Sequence, residues 1–169
     1  MSKTRKAVLI VSGVLTAAIC LVMNIVFLPH IEAGTEGIRC FDMNFNYSFE
    51  TAQAFINALG SDLKAYYLHV QLPLDFVYPL AYTTFFVLLM NTLTQKKSML
   101  TALPPVLAVC DYGENIGIIR MLTTEELSPV TVSIANGFTM VKTVLLYVTI
   151  LLVLVLIIRK IVKKKRGNV

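Results

Sequence analysis

The chain has 169 residues, 56% of them hydrophobic and only 15% charged. A water-soluble domain carries about 25% charged residues, so this composition lacks the polar surface that solution demands. Its net charge of +5 comes from basic residues that flank apolar runs, which argues against the rival reading of a separate nucleic-acid-binding module. Cys20, Cys40 and Cys110 are odd in number and form no CxxC, against a disulfide framework, a zinc site or a thiol redox enzyme. His30 and His69 fall near the ends of apolar segments, where they cannot pair across a haem. No cofactor and no metal site is expected.

A membrane-crossing helix needs about 20 predominantly apolar residues. The first such run covers 7–28 and meets Pro29. Lys3, Arg5 and Lys6 precede it as they would a signal peptide, but the run is longer than a signal core and no small-x-small site closes it. An uncleaved first span is expected. Residues 29–69 form a loop containing a helix of its own. Ser48 supplies a hydroxyl cap and Glu50 an acid in the first turn. Phe49, Ala52, Phe55, Ile56 and Leu59 recur at helical spacing, and Gly60 is a natural stop. A second short helix from Ser61 leads toward the next span, with Tyr66 and Tyr67 expected at headgroup level. Asn46-Tyr47-Ser48 is a glycosylation sequon, meaningful only in a eukaryotic chain. Further spans are predicted over 70–94, 99–121 and 130–158, before a basic tail at 159–169.

The fold class that follows is all-α, a single membrane domain. It is an integral membrane four-helix bundle with an amphipathic helix in extracytoplasmic loop 1. With the N-terminus inside, the cytoplasmic side collects Lys3, Arg5, Lys6, Lys96, Lys97 and the tail cations Arg159, Lys160, Lys163, Lys164, Lys165 and Arg166, and no acid. The loops of the other side hold most of the acids. That bias predicts a multi-pass cell-membrane protein with both termini cytoplasmic.

The functional information lies in polar residues within the spans. Span two carries Asp75 and Tyr78, span three Asp111, Glu114 and Asn115, and span four Asn136, Thr139, Lys142 and Thr143. Residues three or four apart share a helix face, so each span presents a polar patch, and their depths let the patches meet in the outer half of the bundle. Each mid-span acid costs about 2.5–3.5 kcal/mol on the insertion scale, whereas a large aliphatic returns only about 0.3–0.6. Span three therefore inserts poorly alone and needs its neighbours. Asp75, Asp111 and Glu114 outnumber Lys142, joined by a second cation if Arg120 folds back. The surplus can be held by a proton, a metal cation or a cationic ligand; a purely structural network fixing helix register is the alternative. Pro73, Pro79, Pro104, Pro105, Gly113 and Gly117 loosen the same two spans, as around a cavity.

Asp-Phe-Val-Tyr-Pro-Leu-Ala-Tyr (75–82) together with Asp-Tyr-Gly-Glu-Asn (111–115) resembles a family of small four-span membrane proteins of unassigned activity. The loop from Phe41-Asp42 to Ala58-Leu59-Gly60 and Lys142 belong to the same pattern, and the resemblance covers 7 to about 150. In architecture alone the chain is also similar to the EXPERA group, four-span proteins that include sterol isomerases and sterol-binding proteins with intramembrane carboxylates. Three functions are open. The first is binding or transport of a lipid or small cationic ligand at Asp75, Tyr78, Asp111, Glu114, Asn115, Asn136 and Lys142. The second is a lipid-modifying enzyme with carboxylate acid/base catalysis, its catalytic residues unassigned. The third is a structural or assembly subunit of a membrane complex. The lipid bilayer is the expected partner, with a homodimer or another membrane protein as a further candidate and no nucleic acid.

Overall fold

The computed structural model describes residues 2–94 and 99–166, and all the regular secondary structure among them is helical. Lys96 and Lys97, used in the charge argument above, lie outside the described residues, as do 167–169 of the tail. Helix α1 runs Lys3–Gly34 and starts where Ser2 Oγ accepts the Arg5 N–H at 3.2 Å. It continues past Pro29, the expected end of the first span. A π-turn at Met23–Phe27 makes this possible: Leu28 N–H bonds Met23 O, five residues back, just before the proline that has no N–H to give. The helix stops at Thr35, whose hydroxyl donates to the Ile31 and Ile38 carbonyls. Glu36 and Gly37 then reverse the chain at positive φ.

Helix α2, Phe49–Ala58, is capped as its sequence predicts, Ser48 Oγ accepting from Thr51 N–H at 3.2 Å. Helix α3, Ser61–Thr94, joins the second loop helix to span two without a break and repeats the device of α1, a π-turn at Tyr67–Gln71 ahead of Leu72-Pro73. Helix α4 covers Leu103–Thr123 and α5 covers Pro129–Arg166. α1 packs along α3, α4 lies against both α3 and α5, and α2 rests on α5.

Among the described residues three helices are long and apolar enough to cross a membrane: α1, α3 and α5 over Pro129–Lys165. Their outer faces are apolar, with Val11, Val14 and Ile25 on α1 and Val144, Tyr147 and Leu151 on α5 all exposed. Three acids of α3 and α4 are inside instead: Asp75 is 3% exposed, Asp111 4% and Glu114 0%. An apolar exterior around buried charge suits lipid as the solvent. Helix α4 spans about 31 Å by its length, at 1.5 Å per residue, but Asp111, Glu114 and Arg120 offset its apolar residues.

The main core lies at the loop end. Phe41 stands between Tyr47 and Phe55, with ring centroids 5.0 and 4.8 Å away, and Ile31, Leu72 and Ile118 close around them. The predicted face of α2 does bury Ala52, Phe55 and Leu59 there. Tyr67, expected at headgroup level, is instead fully buried in this core, because its hydroxyl has an acid to bond within it.

Gly113 and Gly117 do not loosen α4; they let α5 come close. A Cβ on Gly117 would lie 2.7 Å from Ala135 Cβ and 3.2 Å from its Cα, and one on Gly113 would lie 2.6 Å from the Phe138 ring. This is the small-xxx-small packing of membrane helices.

Candidate functional site

The two glycines flank Glu114 in sequence, so the close α4–α5 contact brings that carboxylate directly onto α5. Thr139 Oγ1 donates to Glu114 Oε1 at 2.6 Å, and Lys142 Nζ pairs with Glu114 Oε2. One turn earlier on α4, Asp111 Oδ1 lies 3.4 Å from Lys142 Nζ, and its Oδ2 accepts from Tyr82 Oη of α3 at 3.0 Å. The lysine thus ties α5 to two acids of α4, and Tyr82 ties the second acid to α3.

A fourth acid comes from the loop. Asp42, in a 3₁₀ turn at Phe41–Met43, has Oδ1 3.7 Å from Lys142 Nζ. Its Oδ2 accepts from Tyr67 Oη at 2.9 Å and Gln71 Nε2 at 3.2 Å. Asn44 holds the turn by donating to the Arg39 and Cys40 carbonyls. In the sequence Asp42 belongs to the loop 29–69, yet its neighbours Cys40 and Phe41 are both apolar and fully buried, and they carry it inward. Tyr47 is buried beside Thr139, Glu114, Asp42 and Lys142; burial pushes its phenol up, so it stays a neutral hydroxyl.

Asp75 joins the cluster through its backbone as well as its charge. Pro79 has no N–H for the carbonyl of residue 75, four positions earlier, and Asn115 Nδ2 takes that place at 3.2 Å. Tyr112 Oη adds a second crosslink to the Phe76 carbonyl at 3.2 Å. The charged neighbours of Asp75 are Asp42, Lys142, Asp111 and Glu114, but it makes no ion pair with the lysine. Asp75 Oδ2 and Asn115 Oδ1 are buried without a hydrogen-bond donor, as is Gln71 Oε1.

Of the residues singled out from the sequence, Asp75, Asp111, Glu114, Asn115 and Lys142 come together. Tyr78 sits at the border, its ring 5.1 Å from that of Tyr82 and its other side packed on Ile19, Met23 and Ala81. Asn136 is not among the acids. Its Oδ1 accepts the Tyr47 N–H at 3.0 Å and its Nδ2 donates to Asn46 Oδ1 at 2.8 Å, which clamps the loop onto α5. Arg120 is exposed and joins none of the ion pairs. Asp42, Tyr47, Tyr67 and Gln71 were missed as site residues; the one available signal was polar side chains set singly among residues that must be buried.

Three carboxylates therefore pair with one ammonium and a fourth, Asp75, lies near them, with side-chain exposure of 15% at Lys142 and 10% at Asp42. That edge is where the cluster is open. Among the described residues no three His, Cys, Asp or Glu groups converge as a metal site. No family model, curated protein or solved structure matches the chain.

Proposed function

We propose that this is a multi-pass membrane protein of four spans, with α4 as the third and both termini cytoplasmic. In this reading it binds or carries a lipid or small ligand whose cationic group docks among the buried acids. The four-span reading is supported by α4 lying between α3 and α5 with Asp111 and Glu114 turned onto them. A helix too charged to insert alone is stable among such partners. The basic bias of the N-terminus and the tail supports the orientation.

The observation that carries the binding reading is the charge count around Lys142, together with the donorless oxygens of Asp75 and Asn115. A ligand ammonium would supply positive charge and N–H donors at once. The test is a lipid comparison on protein purified from one membrane extract. Wild type should enrich amine-bearing lipids, and Asp111→Asn/Glu114→Gln should lose that enrichment. Asp75→Asn, which removes no partner of Lys142, should lose it as well while keeping the fold. Unchanged enrichment in the folded Asp75→Asn protein would refute the reading.

One observation favours a second reading, a lipid-modifying enzyme. Asp111 receives Tyr82 and faces Lys142, while Asp75 has a buried oxygen with no donor. Two acids in such unlike surroundings can divide the roles of acid and base. Turnover retained in Asp75→Asn/Asp111→Asn would exclude it. The subunit reading has less support, since a charged face for a partner would have to point out of the chain and these acids point in.

A further inference from the structure

Away from the acid cluster, the last described turn of α3 lies beside the far end of α5. A cleft of about 850 Å³ opens there between the two helices. Arg159, Lys160, Lys163 and Lys164 line it with the apolar side chains Leu93 and Leu156, and no acid is present among the described residues of its wall. Lys160 Nζ donates to the Thr92 carbonyl at 3.2 Å, in the last described turn of α3, and so ties α5 to α3 there.

Arg159 and Lys163, and Lys160 and Lys164, are like charges one helical turn apart, and such pairs repel unless an anion lies between them. The cleft has a cationic part and an apolar part side by side. It borders the exposed apolar surface of α5, where Ile158 and Val162 are uncovered. A phosphate fits the first part and the beginning of an acyl chain the second. We infer that this cleft is a binding site for the headgroup of an anionic phospholipid, held by Arg159, Lys163 and Lys164 while Lys160 ties α5 to α3. Basic pockets between membrane helices recognise phosphate-bearing headgroups in this way. The site rests on the chain being embedded in a membrane and not on the ligand of the acid cluster.

The test uses the full chain reconstituted in nanodiscs of phosphatidylcholine mixed with phosphatidylglycerol, with the retained lipid identified by native mass spectrometry. Wild type should keep phosphatidylglycerol in preference to phosphatidylcholine. Lys163→Gln/Lys164→Gln should lower that preference by about tenfold or more, since each charge near an anionic headgroup is worth roughly fivefold. Lys3→Gln/Lys6→Gln removes as many charges from residues that do not line the cleft and should change it by less than about twofold. Equal losses in the two variants would mean diffuse surface charge and overturn the site, as would no preference in wild type. Glycerol phosphate added to the buffer should leave the lipid bound; if it displaces the lipid, the site takes soluble phosphate and the inference fails.

Discussion

Replacing Lys142 with methionine removes the cation that the three ion pairs of the cluster share while keeping most of its apolar stem. In the native protein that ammonium touches Asp42, Asp111 and Glu114. Removing one partner of a buried ion pair costs about 3–5 kcal/mol, because the remaining charge is left uncompensated. Three carboxylates lose their partner here, so the cost should fall at the upper end. For a chain of this size about 1 kcal/mol moves the melting temperature by roughly 2–4 °C, which puts the expected drop near 10 °C or beyond. The chain has no tryptophan, so the assay is labelling by a thiol-reactive dye during a thermal ramp. Cys40 suits it: the residue is 0% exposed, and burial, with the charges of Asp42 and Glu32, pushes its thiol up and keeps it unreactive until the fold opens. Adding Glu114→Gln to Lys142→Met should restore about 1–3 kcal/mol, since it removes a carboxylate left without its partner. A single variant that melts with wild type, or a double variant less stable than the single, would refute the reasoning.

Asn136→Ala should free the loop without unfolding the bundle: two hydrogen bonds worth about 1 kcal/mol each are lost, and Cys40 should label faster below the melting transition. Gly117→Leu should cost about 1–3 kcal/mol or more, read as a lower melting temperature, because its Cβ alone would lie 3.2 Å from the Ala135 backbone. Gly60→Ala, with nothing within 4 Å, should be close to neutral in the same assay. Asn115→Ala should cost about 1–3 kcal/mol by leaving the Asp75 carbonyl unsatisfied. In a Pro79→Ala background, where a backbone N–H is restored, the same change should cost measurably less in a double-mutant cycle.

Much of the helical layout could be read from local chemistry. The Ser48 cap, the apolar face of α2 and the continuity of Ser61 into α3 each follow from neighbours in sequence. The same holds for the polar faces of α3 and α4, where three- and four-residue spacing decides which side chains stand together. Features that depend on contacts between distant segments could not be read this way. Asp42 belongs to the cluster because Phe41 packs between Tyr47 and Phe55, a tertiary fact. Gly113 and Gly117 read alike as flexible or as close-packing until the partner helix is known. Pro29 reads as a stop, and only the π-turn before it lets α1 continue. Asn136, on the same stripe as Thr139, turns outward to the loop because the Tyr47 N–H and the Asn46 side chain are there to bond it.

The central claim is that the buried acids exceed Lys142 so that a cationic ligand can join them. It is tested most directly by measuring, on the protein in nanodiscs, the affinity for a long-chain primary amine and for the alcohol of the same chain length. The account predicts that the amine binds more tightly by about tenfold or more, equivalent to roughly 1.4 kcal/mol, and that Asp75→Asn abolishes the difference. Equal affinity of the two in wild type, or a preference that survives in Asp75→Asn, would contradict it.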